Sequence, residues 1–176
     1  RGGASVSYLV KEKYKEECEK GFTLYRCRRS GLGAAEKFEA DAIFTHYEDL
    51  KQTHWDQVWL TVSSADLRGG WLEQLREQIG DATVVMLQPD LDDRDYVLSV
   101  FPAEQVVCGI VNFISYQTPL PDLPNYHPDA GKEGVAYLVL PMMPAEFSGN
   151  EERLPGVMGA MAAGRFNVKV EQDASR

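Results

Sequence analysis

Residues 57–91, QVWLTVSSADLRGGWLEQLREQIGDATVVMLQPDL, decide the fold of this chain. Two short runs of apolar and β-branched residues in this stretch, 57–62 and 83–87, are typical of buried strands. Residues 66–79 lie between them and carry apolar side chains at helical spacing: Leu67, Trp71, Leu72, Leu75 and Ile79. Two strands that flank an amphipathic helix predict a βαβ unit with parallel strands and a right-handed crossover.

The carboxyl ends of these two strands are where a ligand is expected, because open parallel sheets bind ligands beside such ends. Ser63 and Ser64 follow the first strand, and Gln88 follows the second. A serine at this place can contact a ligand, or it can turn the chain and cap the next helix, and both interpretations stay open. Arg68 is predicted to lie on the outer face of the helix, away from the apolar side chains.

The rest of the chain alternates between predicted strands and helices. Further strands are expected at residues 4–10, 22–28, 36–44, 105–114, 135–140 and 166–170. Further helices are expected at residues 11–20, 92–101 and 151–163. The strands at 22–28 and 36–44 are expected to pair as a hairpin, residues 46–56 to form a loop or short helix, and residues 117–134 to form a loop. This alternation predicts an α/β fold with a largely parallel sheet.

The composition argues against several classes of function. The chain has 176 residues, of which 18 are basic and 27 acidic, for a net charge of −9. A nucleic-acid binder needs a basic face to neutralise phosphates, so this acidic excess argues against nucleic acid and against an anionic membrane surface. No apolar run reaches the roughly 18–20 residues of a membrane-spanning helix, and no signal peptide is visible. We therefore expect a cytoplasmic protein.

Cysteine and histidine do not form the clusters that metal sites require. The cysteines are odd in number, widely spaced and predicted to be reduced and mostly buried: Cys18, Cys27 and Cys108. The histidines are scattered in predicted loops without the spacing of metal ligands: His46, His54 and His127. No metal site is predicted. The acidic residues at positions 90, 92 and 93 are interpreted as favourable charges at a helix N-terminus rather than as cation ligands.

The order of short sequence strings suggests a family. GGASVSYLVKEKYKEECEKGFTLY reads as a strand that ends in a basic residue, a helix, a glycine and the start of a hairpin. It is followed by VWLTVSSADL, LQPDLDDRDYV, FPAEQVVCGIVNFISYQTPLP and AYLVLP. From Gly2 to about Val170 the chain resembles the nucleotide-binding domain of the ketopantoate reductase (2-dehydropantoate 2-reductase) family. The resemblance implies a Rossmann-like three-layer domain, NADP as cofactor, and reduction of a 2-oxo acid in pantothenate biosynthesis.

The chain departs from that family in three respects. The family's G-x-G-x-x-G fingerprint is absent, so we expect residues 1–176 to be a single, truncated dinucleotide-binding domain that lacks its first strand and helix. The missing strand would lie between the strands at 4–10 and 57–62. We likewise expect the family's C-terminal helical domain, which helps form the substrate cleft and often the dimer, to be missing beyond Arg176. Finally, the catalytic lysine of the family aligns with Ser63 or Ser64, and its Asn-Gly pair aligns with Pro89 and Asp90.

The resemblance assigns cofactor-binding positions as well. Lys11 ends the second strand of the dinucleotide fold, where a basic residue accommodates the 2′-phosphate of NADP, and Lys13 can assist it. Ser63 and Gln88 are predicted to contact the cofactor at the strand ends, and Ser63 and Ser64 take the catalytic position. The alternative for Lys11 is a solvated lysine at the start of a helix.

Two functions follow from these residues. The first is an NADP-dependent oxidoreductase that reduces a 2-oxo acid or a related small carbonyl compound. The second is a non-catalytic dinucleotide-fold protein that binds nucleotide or another protein, because serine and proline replace the family's catalytic lysine and asparagine. We favour the oxidoreductase. The resemblance is also compatible with a homodimer.

Overall fold

The computed structural model describes residues 3–28, 31–88, 90–119, 133–140 and 142–172. The strands that it describes are, in chain order, β1 (Ser7–Leu9), β2 (Phe22–Arg28), β3 (Gly31–Phe38), β4 (Ala42–Phe44), β5 (Gln57–Leu60), β6 (Thr83–Met86), β7 (Val106–Ile110), β8 (Phe113–Thr118), β9 (Gly134–Val139), β10 (Ala145–Gly149) and β11 (Val168–Val170). The α-helices are α1 (Lys15–Glu19), α2 (Ser64–Leu67), α3 (Trp71–Ile79), α4 (Leu91–Val100) and α5 (Leu154–Ala163). Short 3-10 helices occupy Glu12–Tyr14, Tyr47–Gln52 and Ala103–Gln105.

The chain divides into two compact units. Unit I is formed mainly by His46–Val111 and Met143–Arg176, and unit II by Ser5–Thr45 and Asn112–Met142. The α/β class is confirmed, and mostly parallel pairing is confirmed in unit I, where three of the four described strand pairs are parallel. In unit II two of the four described pairs are parallel and two are antiparallel. None of the helices in the described ranges combines the length and apolarity needed to cross a membrane.

Unit I contains a five-stranded sheet in the order β11-β10-β7-β6-β5. Strands β5, β6 and β7 run parallel, as the central βαβ prediction requires, and β10 pairs antiparallel with β7 and parallel with β11. In the described part of the chain, β6 is the one strand partner of β5. The strand predicted to lie beside the other edge of β5 stays a prediction.

Both faces of this sheet are covered, because every residue of β6 is buried. Val85 packs in a cluster with Phe147 and with Val157 of α5. Successive side chains of a strand point to opposite faces, so Val84 and Met86 face away from α5 and are nevertheless buried. Helices α3 and α4, which contact each other, follow β5 and β6 and bury their own apolar stripes. The result is a helix–sheet–helix arrangement typical of parallel α/β folds.

The predicted helix over residues 66–79 is wrong in one respect, because the structure breaks it into α2 and α3. Gly69 and Gly70 separate the two helices with φ of +117° and +75°. This backbone region strains L-residues with a side chain and is accessible to glycine, so the glycine pair ends α2 and re-aims the chain. Only α3 carries the buried stripe of Leu72, Leu75 and Ile79.

The predicted strand over residues 105–114 is also wrong, since the structure divides it between β7 in unit I and β8 in unit II. β7 pairs with β6 and β10, whereas β8 pairs antiparallel with β9. Strand β10 was not predicted at all. Its sequence, AEFSG, carries little strand signal, and its place in the sheet depends on the Phe147 ring lying against Gly109, where a side chain would clash.

Unit II combines a four-stranded sheet, β3-β2-β9-β8, with a separate parallel pair of β1 and β4. The predicted hairpin is confirmed for β2 and β3, which pair antiparallel. It does not extend to residue 44, because β4 leaves the hairpin and pairs with β1 instead.

The three cysteines form no disulfide bond, and Cys18 and Cys108 are buried. The predicted loop over residues 117–134 lies mostly outside the described residues.

Candidate functional site at the carboxyl ends of the parallel strands

Ser63 forms the N-cap of α2. Its Oγ accepts a hydrogen bond from the Asp66 N–H at 3.2 Å and donates one to Asp66 Oδ2 at 2.8 Å. The extended backbone of Ser63, with φ −66° and ψ 159°, is the usual conformation of a capping residue. Ser64 is the first residue of α2 and is exposed. The capping role considered for the serines is therefore present in the structure, at Ser63.

Gln88 joins the ends of β5 and β6. Its Nε2 donates to the carbonyl oxygens of Leu60 at 3.1 Å and Val62 at 2.7 Å, and its Oε1 accepts from the Leu87 N–H at 3.2 Å. A side-chain amide has two hydrogens to donate, and both are used here. Gln88 is only 8% exposed. It therefore acts on this edge by fixing the backbone at residues 60–62.

The segment after β6 starts α4 through Asp90. Asp90 Oδ1 accepts a hydrogen bond from the Asp92 N–H at 2.9 Å, which makes Asp90 the N-cap. Pro89, the position predicted to replace the family's asparagine, lies outside the described residues. Val62 and Leu91 are exposed apolar side chains at this edge, 37% and 55% accessible.

The prediction that Arg68 lies on the outer face of one long helix is wrong. It ends α2, and its Nη2 lies 3.0 Å from Oδ1 of Asp93 in the first turn of α4. The guanidinium carbon lies 4.6 Å from the centre of the Tyr96 ring. The side chain of Asp93 is 2% exposed, and its Oδ2 is buried with no hydrogen-bond partner in the described part of the chain. The structure thus brings a half-exposed arginine and a buried aspartate together at the strand ends.

The interpretation of the acidic residues 90, 92 and 93 as charges at a helix N-terminus is confirmed, because Asp90 caps α4 and Asp92 and Asp93 lie in its first turn. Asp92 is exposed, whereas Asp93 is buried, which was not expected. A signal for this burial was present in the sequence. Asp93 precedes Val97 and Val100 by four and seven residues, a spacing that places all three on one helix face. Both valines are buried. No comparable signal located Arg68, because its position depends on the break between α2 and α3.

Lys11 and Lys13 lie in unit II, in the turn after β1. Both side chains are exposed. The Lys11 carbonyl accepts a hydrogen bond from the Tyr14 N–H at 2.8 Å, which starts the 3-10 helix Glu12–Tyr14. The Lys13 Nζ lies 4.7 Å from the centre of the Tyr14 ring. Within the described ranges no three His, Cys, Asp or Glu side chains are grouped closely enough to hold a metal ion.

No protein-family model and no curated protein sequence matches this chain. Solved structures do. A 2-dehydropantoate 2-reductase from Geobacter metallireducens superposes with a TM-score of 0.68 at 14% identity, covering 98% of this chain and 52% of its own. One from Methylococcus capsulatus gives a TM-score of 0.68 at 16% identity, covering 99% and 51%. A D-mandelate dehydrogenase, solved with NADH and anilino(oxo)acetate, gives 0.65 at 11%, covering 97% and 50%.

These similarities establish the fold. The chain has the Rossmann-like α/β architecture found in these reductases and in the dehydrogenase, as the sequence strings predicted. It spans about half the length of the solved structures that it matches.

Proposed function

We propose that this chain is the dinucleotide-binding part of an NADP-dependent oxidoreductase that reduces a 2-oxo acid or a related carbonyl compound. The observation that carries the proposal is the match of 97–99% of the chain to 2-dehydropantoate 2-reductases and to a dehydrogenase solved with NADH. At identities of 11–16%, this match supports an oxidoreductase and gives no finer assignment. The assignment of substrate, cofactor and residues depends on the chemistry of the chain itself.

Lys11 is assigned to the 2′-phosphate of NADPH. It lies two residues after the end of β1 and its side chain is exposed. This fits a basic group that accommodates the 2′-phosphate, whereas an acid at this place selects NAD. Lys13 adds positive charge in the same turn. Glu12 opposes it in part.

The strand ends of unit I are assigned to the reacting part of the site. NADPH, when bound, supplies the hydride. Gln88 fixes the carbonyls of Leu60 and Val62, so the backbone at this edge is held in one arrangement before any ligand arrives. The exposed side chains of Val62 and Leu91 offer apolar surface for a ring. Ser63 and Ser64 offer hydroxyl groups for hydrogen bonds to the ligand.

The same residues limit the reaction. Reduction of a ketone needs a proton for the developing alkoxide, and a serine hydroxyl is too weak an acid to replace a lysine ammonium in this task. The hydroxyl of Ser63 is in addition engaged with Asp66. We therefore expect slow reduction of 2-dehydropantoate.

A non-catalytic dinucleotide-binding protein is the second candidate. It is favoured by the bonding of Ser63 and Gln88, whose donors are used within the protein. Such a protein would bind NADPH and reduce nothing.

The two candidates separate in one assay of the intact protein. NADPH oxidation is followed at 340 nm with 2-dehydropantoate and with a panel of other 2-oxo acids, beside a direct NADPH titration. Oxidation that depends on a 2-oxo acid supports the reductase. Saturable binding without oxidation supports the second candidate, and absence of binding contradicts both.

A further inference from the structure

We propose that Arg68 is an anion-binding residue at the carboxyl edge of the unit I sheet, and that it takes a carboxylate or phosphate group of the ligand. The identity of that ligand, a 2-oxo acid or a nicotinamide dinucleotide, rests on the proposed function. The anion site itself rests on the contacts of Arg68.

The position of Arg68 supports this role. Arg68 ends α2, which begins directly after the segment that leaves β5, and Asp93 lies in the first turn of α4, which begins after β6. The ion pair between them at 3.0 Å places the guanidinium beside the ends of two neighbouring parallel strands. This is the edge where open α/β sheets bind their ligands.

The guanidinium of Arg68 is held in place by two contacts, and part of it stays exposed to solvent. Asp93 Oδ1 fixes one Nη group, and the Tyr96 ring supports the guanidinium plane. Within the described ranges, Asp93 is the carboxylate that forms an ion pair with Arg68, and the Arg68 side chain is 42% exposed. An arginine carries several N–H donors in a planar fork that matches carboxylate and phosphate. The remaining donors can therefore bind an anion with little further loss of side-chain entropy.

The buried carboxylate of Asp93 gives a second reason. Its Oδ2 is buried, and no described residue forms a hydrogen bond with it. Leaving such a group unsatisfied is destabilising, and apolar residues often replace a buried ion pair at no cost in stability. Stability alone therefore does not account for Asp93. A function for the cation that Asp93 holds in position does account for it.

The backbone after Arg68 leaves room for a ligand. Gly69 and Gly70 follow it, and a side-chain carbon built on either residue would meet no atom within 4 Å. The glycines are required by their positive φ and not by crowding. The backbone that follows Arg68 is therefore not crowded by other parts of the described chain.

The test uses the intact protein and three probes in calorimetric titrations: inorganic phosphate, oxamate as an unreactive mimic of a 2-oxo acid, and NADPH. Arg68→Gln is combined with Asp93→Asn, so that no unpaired carboxylate stays buried, and near-ultraviolet circular dichroism checks the fold. Arg68→Lys keeps the charge without the fork. Arg26→Gln is the matched control, because Arg26 is an exposed arginine on β2 in unit II.

The double variant should weaken binding of at least one probe by about 10- to 100-fold, as expected for a lost charge-assisted contact. Arg68→Lys should give a smaller loss, and Arg26→Gln none. A loss confined to oxamate assigns Arg68 to the substrate carboxylate, and a loss confined to NADPH assigns it to a cofactor phosphate. Asp93→Asn alone should weaken binding less than the double variant does, because the guanidinium keeps its charge and loses only the carboxylate that holds it in position.

Unchanged binding of all three probes in the double variant would overturn the inference, as would failure of the unmodified protein to bind any of them. Arg68-dependent binding of phosphate or oxamate without NADPH binding would leave the anion site standing and reject the proposed cofactor. NADPH binding that is independent of Arg68, with no binding of the smaller anions, would reject Arg68 and keep the cofactor.

Discussion

The amino and carboxyl ends of the parallel strands in unit I differ in how they bind an arginine side chain. At the amino end of β6, Arg153 donates to the Asp81 carbonyl, the Asp81 carboxylate and the Thr83 hydroxyl, and its side chain is 20% exposed. At the carboxyl end, Arg68 forms an ion pair with Asp93 among the described residues and is 42% exposed. The amino edge satisfies its arginine, whereas the carboxyl edge leaves donors available. This difference supports the proposal of a ligand site at the carboxyl ends of the strands.

Two buried glutamines show what both edges have in common. Gln105 donates to the carbonyls of Gly80 and Ala82 at the amino edge, at 3.0 and 2.7 Å, just as Gln88 donates to those of Leu60 and Val62 at the carboxyl edge. Each amide joins the backbone of neighbouring segments with both of its hydrogens. Gln88 therefore fixes backbone at the carboxyl ends of the strands as Gln105 does at the amino ends. The two arginines differ, because Arg68 is more exposed than Arg153.

The largest expected effect concerns the acid that the carboxyl edge lacks. The unmodified protein should reduce 2-dehydropantoate about 10²–10⁴-fold more slowly than a reductase with lysine at the position of Ser63, the usual contribution of general acid catalysis. Ser63→Lys should raise kcat, measured by NADPH oxidation, whereas Ser64→Lys should raise it less. Fast turnover that no change at Ser63 or Ser64 affects would place the catalytic centre elsewhere.

The next effect concerns the contribution of the Arg68–Asp93 ion pair to stability. Arg68→Gln should lower the free energy of unfolding by about 3 kcal/mol, at the lower end of the range for a broken buried pair because Arg68 is partly exposed. Adding Asp93→Asn should recover most of this loss. Chemical denaturation of both variants and of Arg153→Gln, for which about 1–2 kcal/mol is expected, measures the contrast between the edges. Equal losses in the single and double variants would show that Asp93 is not the group that needs Arg68.

The paired glutamines separate bracing from ligand binding. Gln88→Leu and Gln105→Leu should each destabilise by about 2 kcal/mol, because each removes a hydrogen bond to two backbone carbonyls. Only Gln88→Leu should also weaken NADPH binding, since only Gln88 fixes the backbone of the proposed site. If Gln105→Leu reduces the affinity as much at a temperature where both variants are folded, the effect is one of general stability.

The smallest effect concerns the glycines that separate α2 from α3. Gly70→Ala should destabilise by about 1–2 kcal/mol, because φ is +75° at this residue. The control is Gly159→Ala in α5, where the helical backbone and open surroundings favour alanine by about 0.5–1 kcal/mol. Thermal unfolding should shift in opposite directions for the two variants. A stabilising Gly70→Ala would mean that residues 66–79 form one continuous helix.

The sequence predicted the elements whose signals are local. The βαβ core around β5, α3 and β6 was found from apolar runs and helical spacing, because a strand buried on both faces is apolar throughout. The hairpin of β2 and β3 was found from a turn between two strand-like runs. The class of fold followed from the alternation of these elements.

The remaining elements depend on contacts that are distant in sequence. The apolar run at 105–114 gave no sign of the division between β7 and β8, and β10 is recognisable only beside β7. The same holds for the site. Ser63 and Gln88 were placed at the correct strand ends, but their hydrogen-bond partners were not predictable. Arg68 was misplaced because helical periodicity was extended through Gly69 and Gly70, where the backbone turns away.

One titration tests the proposed cofactor most directly. The intact protein is titrated with NADPH and with NADH, beside the Lys11→Ala variant. The unmodified protein should bind NADPH more tightly than NADH, and Lys11→Ala should remove about 10- to 100-fold of the NADPH affinity while leaving NADH binding nearly unchanged, as expected for one charge-assisted contact to the 2′-phosphate. Equal affinity for the two cofactors, or no saturable binding of either, would contradict the assignment.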